Sequence, residues 1–280
     1  IMRKMYLHHS QRPEPQRQVF EGKSFGTPTG KDTVRIVPLG GSGNVTKNMY
    51  LYEYRYDGKI RDILIVDCGI GFPDESMFGV DLVIPDVRYL MDKRDKIRAL
   101  VFTHGHDDHI GGLPYIYPKL GKVPMYAPTL AAAFANLKLK ETEVRERVRP
   151  MTFDKTFSAG AFTVSFIRLT HSVPDTSHLV IETPIGIFYH GSDFKFDPTP
   201  LDQKPSEIHK INAVGKKGVL CMLSDSLGSE RPGFTPSEQI IGETIEKELR
   251  LSNGKVLFTT QSSNISRIQL AIELAQKYGR

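Results

Sequence analysis

The stretch Thr103-His104-Gly105-His106-Asp107-Asp108-His109 constrains this chain more than any other. Three imidazoles and two carboxylates fall within seven consecutive residues. Imidazole and carboxylate are the side chains that suit Zn²⁺ and similar divalent ions. The preceding residues, Ile97-Arg98-Ala99-Leu100-Val101-Phe102, read as a short, mostly apolar buried strand. The following ones, Ile110-Gly111-Gly112-Leu113-Pro114-Tyr115, read as a turn leading into a short helical segment. The candidate ligands therefore sit where a strand ends and a loop begins, the usual place for a site in an α/β sheet. A polar loop with clustered histidines is the bland alternative. The ordered pattern His-x-His-x-Asp-His at a strand end weighs against it.

Composition sets bounds on the rest. With 280 residues, 39% hydrophobic and 25% charged, the chain is globular and holds one large domain, or one plus part of another. It has no apolar run of about 18 residues, so no membrane span is expected. Ile1-Met2-Arg3-Lys4-Met5 is basic with no apolar stretch behind it, so no secretory signal is expected either. Starting on Ile rather than Met suggests a trimmed or incomplete product. Cys68 and Cys221 each lie in an apolar run and read as small buried hydrophobes, in keeping with a reducing cytoplasm. The formal net charge of +5 favours polyanionic partners such as nucleic acid.

Residues 1–30 are rich in Gln, Pro, Arg, Lys and Gly and read as a flexible basic tail. His8 and His9 in it read as solvated, and its Arg3, Lys4, Arg12, Arg17 and Lys23 as able to touch nucleic-acid phosphates non-specifically. Strands are predicted at 34–37, 48–54 and 63–66, with a hairpin turn at Asp57-Gly58. Gly40-Gly41-Ser42-Gly43-Asn44 is a turn, and no Gly-Lys-Ser/Thr follows to make it a P-loop. Asp67 stands at the tip of a buried strand, where a carboxylate needs a partner. A helix is predicted over 130–149, with the charged half from Lys138 to Arg149 as a solvated face. Phe162 to Ile167 alternates like a half-buried strand, and 180–183 and 186–189 form a hairpin around Pro184. Residues 219–226 read as a buried strand with a polar tip. Thr235-Pro236-Ser237-Glu238 reads as a capping box opening a helix to about Leu251. A strand at 255–260 and a helix with Ile265, Ile268, Ile272 and Ala275 on one face complete the pattern. One strand cannot make a sheet, so a second domain is expected to be cut off at Tyr278-Gly279-Arg280.

His104-Gly105-His106-Asp107-Asp108-His109 resembles the signature of the metallo-β-lactamase superfamily. The resemblance implies two adjacent metal ions. His104 and His106 would hold the first, Asp108 and His109 the second, and Asp107 would not be a ligand. His171, at the end of a predicted strand, is expected to be the third ligand of the first metal, because two histidines leave an ion short of its usual four. Asp193, in His190-Gly191-Ser192-Asp193-Phe194-Lys195-Phe196-Asp197, is expected to bridge both ions with its two oxygens. Asp67 would orient the centre from behind. His190 and Asp197 read as supporting residues; His178 and His209 have no motif and read as structural or exposed.

Three further stretches sharpen the resemblance. Asn48-Met49-Tyr50 follows the Gly-rich turn. Asp193 to Pro200 reads Asp-Phe-Lys-Phe-Asp-Pro-Thr-Pro. Ser224-Asp225-Ser226 is followed by Glu230-Arg231-Pro232-Gly233-Phe234-Thr235-Pro236-Ser237-Glu238. Together, from about Val34 to Arg280, they resemble the ribonuclease J family of the β-CASP branch. That resemblance implies an αββα sandwich with the start of a β-CASP α/β domain. Its expected divisions are a tail at 1–30, the metallo-β-lactamase domain at 31–232 and the opening of the β-CASP domain at 233–280. It further implies hydrolysis of RNA phosphodiesters, endonucleolytic and 5′-to-3′ exonucleolytic, in rRNA processing and mRNA decay. Two Zn²⁺, with Mn²⁺ or Mg²⁺ as substitutes, would activate the attacking water. The catalytic set would be Asp67, Asp108, His109 and Asp193. RNA is the expected partner, the cytoplasm the expected compartment, and a homodimer or homotetramer the assembly the family allows.

This chain also departs from the family pattern. Asn44-Val45-Thr46, Ser192, Leu227-Gly228 and Ser266 stand where the family usually shows Glu-Ile-Gly, Gly, Thr-Asn and His. A late His-containing segment, and the closing strands with it, are expected beyond Arg280. Two other readings stay open. One is a hydrolase of thioesters or lactams on the same scaffold. The other is a catalytically incomplete piece that binds metal or RNA.

Overall fold

A computed structural model describes residues 31–140 and 142–280. The tail, with His8, His9 and its basic residues, lies outside the described residues. Eleven strands form two sheets among the described residues. The first runs β1 (Asp32–Gly40), β2 (Met49–Tyr56), β3 (Lys59–Val66), β4 (Ile97–Val101), β5 (Met125–Pro128) and β6 (Val148–Met151), in sequence order across the sheet. β1 to β3 are antiparallel and β3 to β6 parallel. The second is ordered β11 (Cys221–Leu223), β10 (Gly186–His190), β9 (Ser177–Thr183), β8 (Phe162–Arg168), β7 (Thr156–Ala159).

The period-2 rule for strands explains the layering. On β3, Ile63 and Ile65 point to one face and Leu64 and Val66 to the other. Leu64 and Val66, with Ala99 and Val101 of β4, pack on Phe162, Val164, Phe166, Leu179 and Ile181 of the second sheet. Ile63, Ile65 and Leu100 instead face Ile116, Leu120, Ala131, Ala135 and Leu139. These belong to α2 (Leu113–Leu120) and α3 (Thr129–Lys140). On the far side of the second sheet, Val180 and Ile187 meet Ile211 and Val214 of α4 (Ile208–Lys217). Helix, sheet, sheet, helix is the αββα order.

Five local expectations need correction. The helix predicted to Arg149 stops at Lys140, and the charged segment after it leads into β6. Both sides of the Asn136 amide bond the backbone of Val148, Nδ2 to its O at 3.0 Å and Oδ1 from its N–H at 2.9 Å. Pairing with β5 then holds the segment extended. The strand at 219–226 shrinks to β11, an edge strand with Met222 exposed and Cys221 only half-buried, whereas Cys68 is fully buried. The segment 255–260 pairs with no strand among the described residues, as a lone strand has no ladder to join. Ser237, not Thr235, caps α5 (Glu238–Leu251), its hydroxyl accepting the Gln239 N–H at 3.2 Å. α6 (Ile265–Lys277) turns Leu274 inward and leaves Ile272 exposed.

Candidate metal centre

The metal motif begins at the end of β4 and continues through α1 (Asp107–Ile110), a single helical turn rather than the loop expected. Asp108 and His109 are thus held on a helix. That turn is seated against the strand-end segment Asp67-Cys68-Gly69 by backbone bonds. The Cys68 N–H donates to His109 O at 2.7 Å and the Gly112 N–H to Cys68 O at 2.8 Å. Only glycine fits at position 69, because a Cβ there would lie 1.6 Å from the Asp108 carbonyl oxygen. Asp107 is exposed and pairs with Lys138 Nζ at 2.6 Å, turned away from the cluster.

His171 and Asp193 are brought to this turn from the second sheet. His171 follows β8 and Asp193 follows β10. Thr170 and Lys195 pair across these two loops, the Lys195 N–H donating to Thr170 O at 2.8 Å. Two groups of donors result. His104, His106, His171 and Asp193 each place one ligand atom within 4.8 Å of the others, and Asp108, His109 and Asp193 do the same. Asp193 is common to both.

The donor geometry fits a pair of cations. His104 Nε2 and His171 Nε2 each lie 3.2 Å from His106 Nδ1. Ligands about 2.0–2.1 Å from a tetrahedral Zn²⁺ stand about 3.3–3.4 Å apart, so the spacing suits one ion. The outer nitrogens have acceptors of their own. His104 Nδ1 faces Thr103 Oγ1 at 3.0 Å, and that hydroxyl donates onward to Asp67 Oδ2 at 2.9 Å. His106 Nε2 faces Ser172 Oγ at 3.2 Å, and His109 Nδ1 faces Asp67 Oδ2 at 2.8 Å. Protons held at these outer nitrogens leave lone pairs pointing inward. In the second group His109 Nε2 faces Asp193 Oδ1 at 3.4 Å and Asp108 Oδ2 at 3.5 Å.

In the first donor group the electrostatics agree with this chemistry; in the second, the metal-free protein holds its protons more tightly. Burial, with neighbouring histidines adding to it, holds His104 well below the usual imidazole range. Burial lowers His106 as well, and lowers His171 to about 4 against the pull of Asp193. Burial opposes ionisation of Asp193, but His109, His171 and His106 outweigh it and bring the carboxyl down to about 2. Burial would also lower His109; the Asp67 and Asp193 carboxylates outweigh it and raise that group well above its ordinary value. Asp108 is raised, chiefly by burial. Donors of the first group are thus neutral imidazoles and an ionised carboxylate, the forms that bind metal.

Asp67 is fully engaged. Its Oδ1 accepts the Thr103 N–H at 2.8 Å and its Oδ2 serves Thr103 Oγ1 and His109. It sits at φ +61, a left-handed conformation uncommon outside glycine, which aims the carboxylate under the motif.

Sequence reasoning passed over two contributors. Asn48 places its amide nitrogen 3.2 Å from Asp108 O and 3.1 Å from His109 Nε2, so it braces the second donor group. Its position after the Gly-rich turn was the only signal. His178 is buried, with Nε2 donating to Ser192 O at 3.0 Å and Tyr189 OH donating to Nδ1 at 2.9 Å. It thereby fixes the peptide that precedes Asp193. No linear motif marks it. Ser192 itself satisfies its hydroxyl on Ser177 O at 3.2 Å, so serine is accommodated where glycine is usual. His190 is buried with Nδ1 2.9 Å from Tyr52 OH; Asp197 is buried too, and His209 is exposed on α4.

Burial keeps His178 and His190 neutral, with pKa values lowered to about 3 and about 4. In the unfolded chain both titrate near 6.5. Below that value the unfolded state binds more protons, so each group removes stability as pH falls from about 6.5 toward its folded pKa. Thermal melts of the metal-free protein are expected to show a falling Tm from pH 6.5 to 4. His178→Gln should flatten part of that slope.

No described helix is long and apolar enough to cross a membrane. The chain is 43% identical over 258 residues to "Ribonuclease J" of Thermus thermophilus, covering 89% of this chain and 44% of that protein. It is 41% identical over 249 residues to "Ribonuclease J 1" of Streptococcus pyogenes, covering 88% and 43%. "Ribonuclease J2" of Bacillus subtilis is 40% identical over 257 residues, covering 89% and 44%. The chain therefore spans less than half the length of these relatives. A crystal structure of a protein of unknown function from Enterococcus faecalis V583 has the same fold, with a TM-score of 0.63 at 16% identity, covering 86% of this chain and 63% of that one. The model of the Metallo-beta-lactamase superfamily matches residues 43–258, a span that takes in every donor of both groups, and the chain belongs to that superfamily.

Proposed function

We propose that this chain carries the metal centre of a metal-dependent ribonuclease that hydrolyses RNA phosphodiester bonds. The observation that carries the reading is the pair of donor groups sharing Asp193, in a chain about 40% identical to several ribonucleases J. His104, His106 and His171 would hold one ion, Asp108 and His109 the other, with Asp193 between them. A pair of divalent ions in such a site supplies Lewis acidity toward phosphate and a hydroxide nucleophile near neutral pH. Thr103 keeps the proton of His104 on its outer nitrogen, and Asp67 does the same for His109 once an ion displaces the proton from the inner nitrogen. Asp193 stays ionised and Asn48 steadies the Asp108–His109 turn. Zinc is the proposed metal, since three imidazoles with one carboxylate suit it.

The same reading assigns the protein to rRNA processing and mRNA decay, with endonucleolytic and 5′-to-3′ exonucleolytic cleavage and a homodimeric or homotetrameric assembly. A cytoplasmic setting is supported by two free cysteines. It also takes 31–232 as the metallo-β-lactamase domain and 233–280 as the start of a β-CASP domain. All three apolar clusters end by Cys221, which supports that division.

Hydrolysis of 5′-monophosphorylated RNA with Zn²⁺ or Mn²⁺ tests the reading. His106→Ala is expected to lower the rate on the order of 10²-fold or more. An unchanged rate in that variant rejects the assignment. Turnover of thioesters but not RNA would transfer the site to another hydrolase of the superfamily.

A further inference from the structure

The α5–α6 pair is fastened to the sandwich by charge. Among the described residues, none of the three apolar clusters includes a residue of α5 or α6. Leu201 beside Gly242 is an apolar touch between them. Ser237 Oγ donates to Thr199 O at 3.0 Å, and the charged contacts gather on Glu238, the first residue of α5. Its Oε1 accepts from Lys195 Nζ at 3.1 Å. Arg267 of α6 grips both its oxygens, Nε to Oε2 at 2.8 Å and Nη2 to Oε1 at 3.0 Å. The Glu238 N–H donates to Oδ2 of the buried Asp197 at 2.8 Å.

This joint is placed where it matters. The side chains of Lys195 and Glu238 are 18% and 22% exposed, so their pairing is less screened than a solvated one. The Lys195 backbone is tied to Thr170 in both directions, N–H to O and O to hydroxyl. Thr170 precedes His171, and Lys195 lies just beyond Asp193. On the other side of the joint, Gln261, Ser262, Ser263 and Ile265 lead into α6. These residues wall the cavity into which His106 and Asp193 face. A wall carried by two helices without a shared apolar core shifts when its polar joint is cut.

We infer that Glu238 is a positioning residue. Through Lys195 and Arg267 it sets the distance between the ligand-bearing loops and the Gln261–Ile265 wall, and so the width of the cleft that takes an RNA strand. The inference rests on the ribonuclease reading for its substrate, though not for the joint itself.

The test compares a substrate that needs the wall with one that needs only the metal centre. In Glu238→Ala, KM for 5′-monophosphorylated RNA is expected to rise at least about tenfold. Zinc content and turnover of bis(4-nitrophenyl) phosphate should not change. Amides of α5 and α6 should exchange hydrogen faster while β8 to β10 keep their protection. Arg267→Met cuts the joint from the α6 side and should repeat this pattern, and Glu238→Gln should be intermediate. Unchanged KM and unchanged exchange in Glu238→Ala and Arg267→Met overturn the inference. Loss of zinc, or of the small diester's turnover, also overturns it, by making Glu238 a support of the metal centre. Faster α5–α6 exchange in a protein whose unaltered form ignores RNA would uphold the joint and reject the ribonuclease reading. Should Glu238→Ala fail to fold, Arg267→Met and Glu238→Gln decide the matter.

Discussion

Asp193→Ala is expected to abolish the second donor group and to weaken the first. Asp193 is the member that the two groups share. Its removal leaves Asp108 and His109 as a pair, too few to retain an ion at ordinary zinc concentrations. It also removes the carboxylate that offsets three nearby imidazoles. Zinc content measured by mass spectrometry should fall from two ions per chain to one or none. RNA hydrolysis should fall on the order of 10³-fold, since one such centre supplies several kcal/mol to the transition state. Asp193→Asn tests the charge alone: it keeps the shape and one oxygen, so partial occupancy with a similar loss of rate is expected. Two tightly held ions in Asp193→Ala would refute the shared-carboxylate arrangement.

Asp67→Asn should do its damage without touching an ion. Asp67 accepts from Thr103 N, Thr103 Oγ1 and His109 Nδ1 at 2.8 to 2.9 Å. An amide has one oxygen, so one of these donors must then face an NH₂ group. If His109 is that donor, the neutral ring carries its proton on Nε2 and the lone pair that would face the second ion is lost. Partners of this kind, behind a metal ligand, typically contribute about 10–100-fold in affinity or activity. The expected result is a loss of that size in zinc affinity for one ion, with the other nearly unaffected. The variant should also keep its strained left-handed backbone, because asparagine tolerates that region better than most residues. A rate and affinity equal to the unaltered protein would show that Asp67 only caps the strand.

Much of this was legible in the linear sequence, for a physical reason. The motif from His104 to His109 is local, and one strand end and one helical turn bring its donors together. Alternation along 162–167 marked a sheet face, since side chains leave a strand with a period of two. The layers follow from the same rule, as Ile63 and Leu64 must face opposite ways. Errors fell where distant contacts override local preference. The charged segment after Lys140 has helical composition, yet Asn136 and β5 hold its end as a strand. Residues 219–226 are apolar enough for a buried strand, yet only Cys221–Leu223 pair with β10. Thr235 begins a formal capping box, yet Asp197 takes the N–H of Glu238 and Ser237 takes that of Gln239.

The sequence by itself determined which atoms can bind a cation and that a strand would present them, because ligand chemistry and strand periodicity are properties of neighbouring residues. Only the tertiary structure decided how close Asp193 comes to the donors of both groups, that His178 secures the peptide before it, and that Glu238 ties the two loops to α6. Those relations join residues far apart in the chain. They exist only because two sheets pack face to face and bring the ends of β4, β8 and β10 to one edge, a geometry that no single segment encodes.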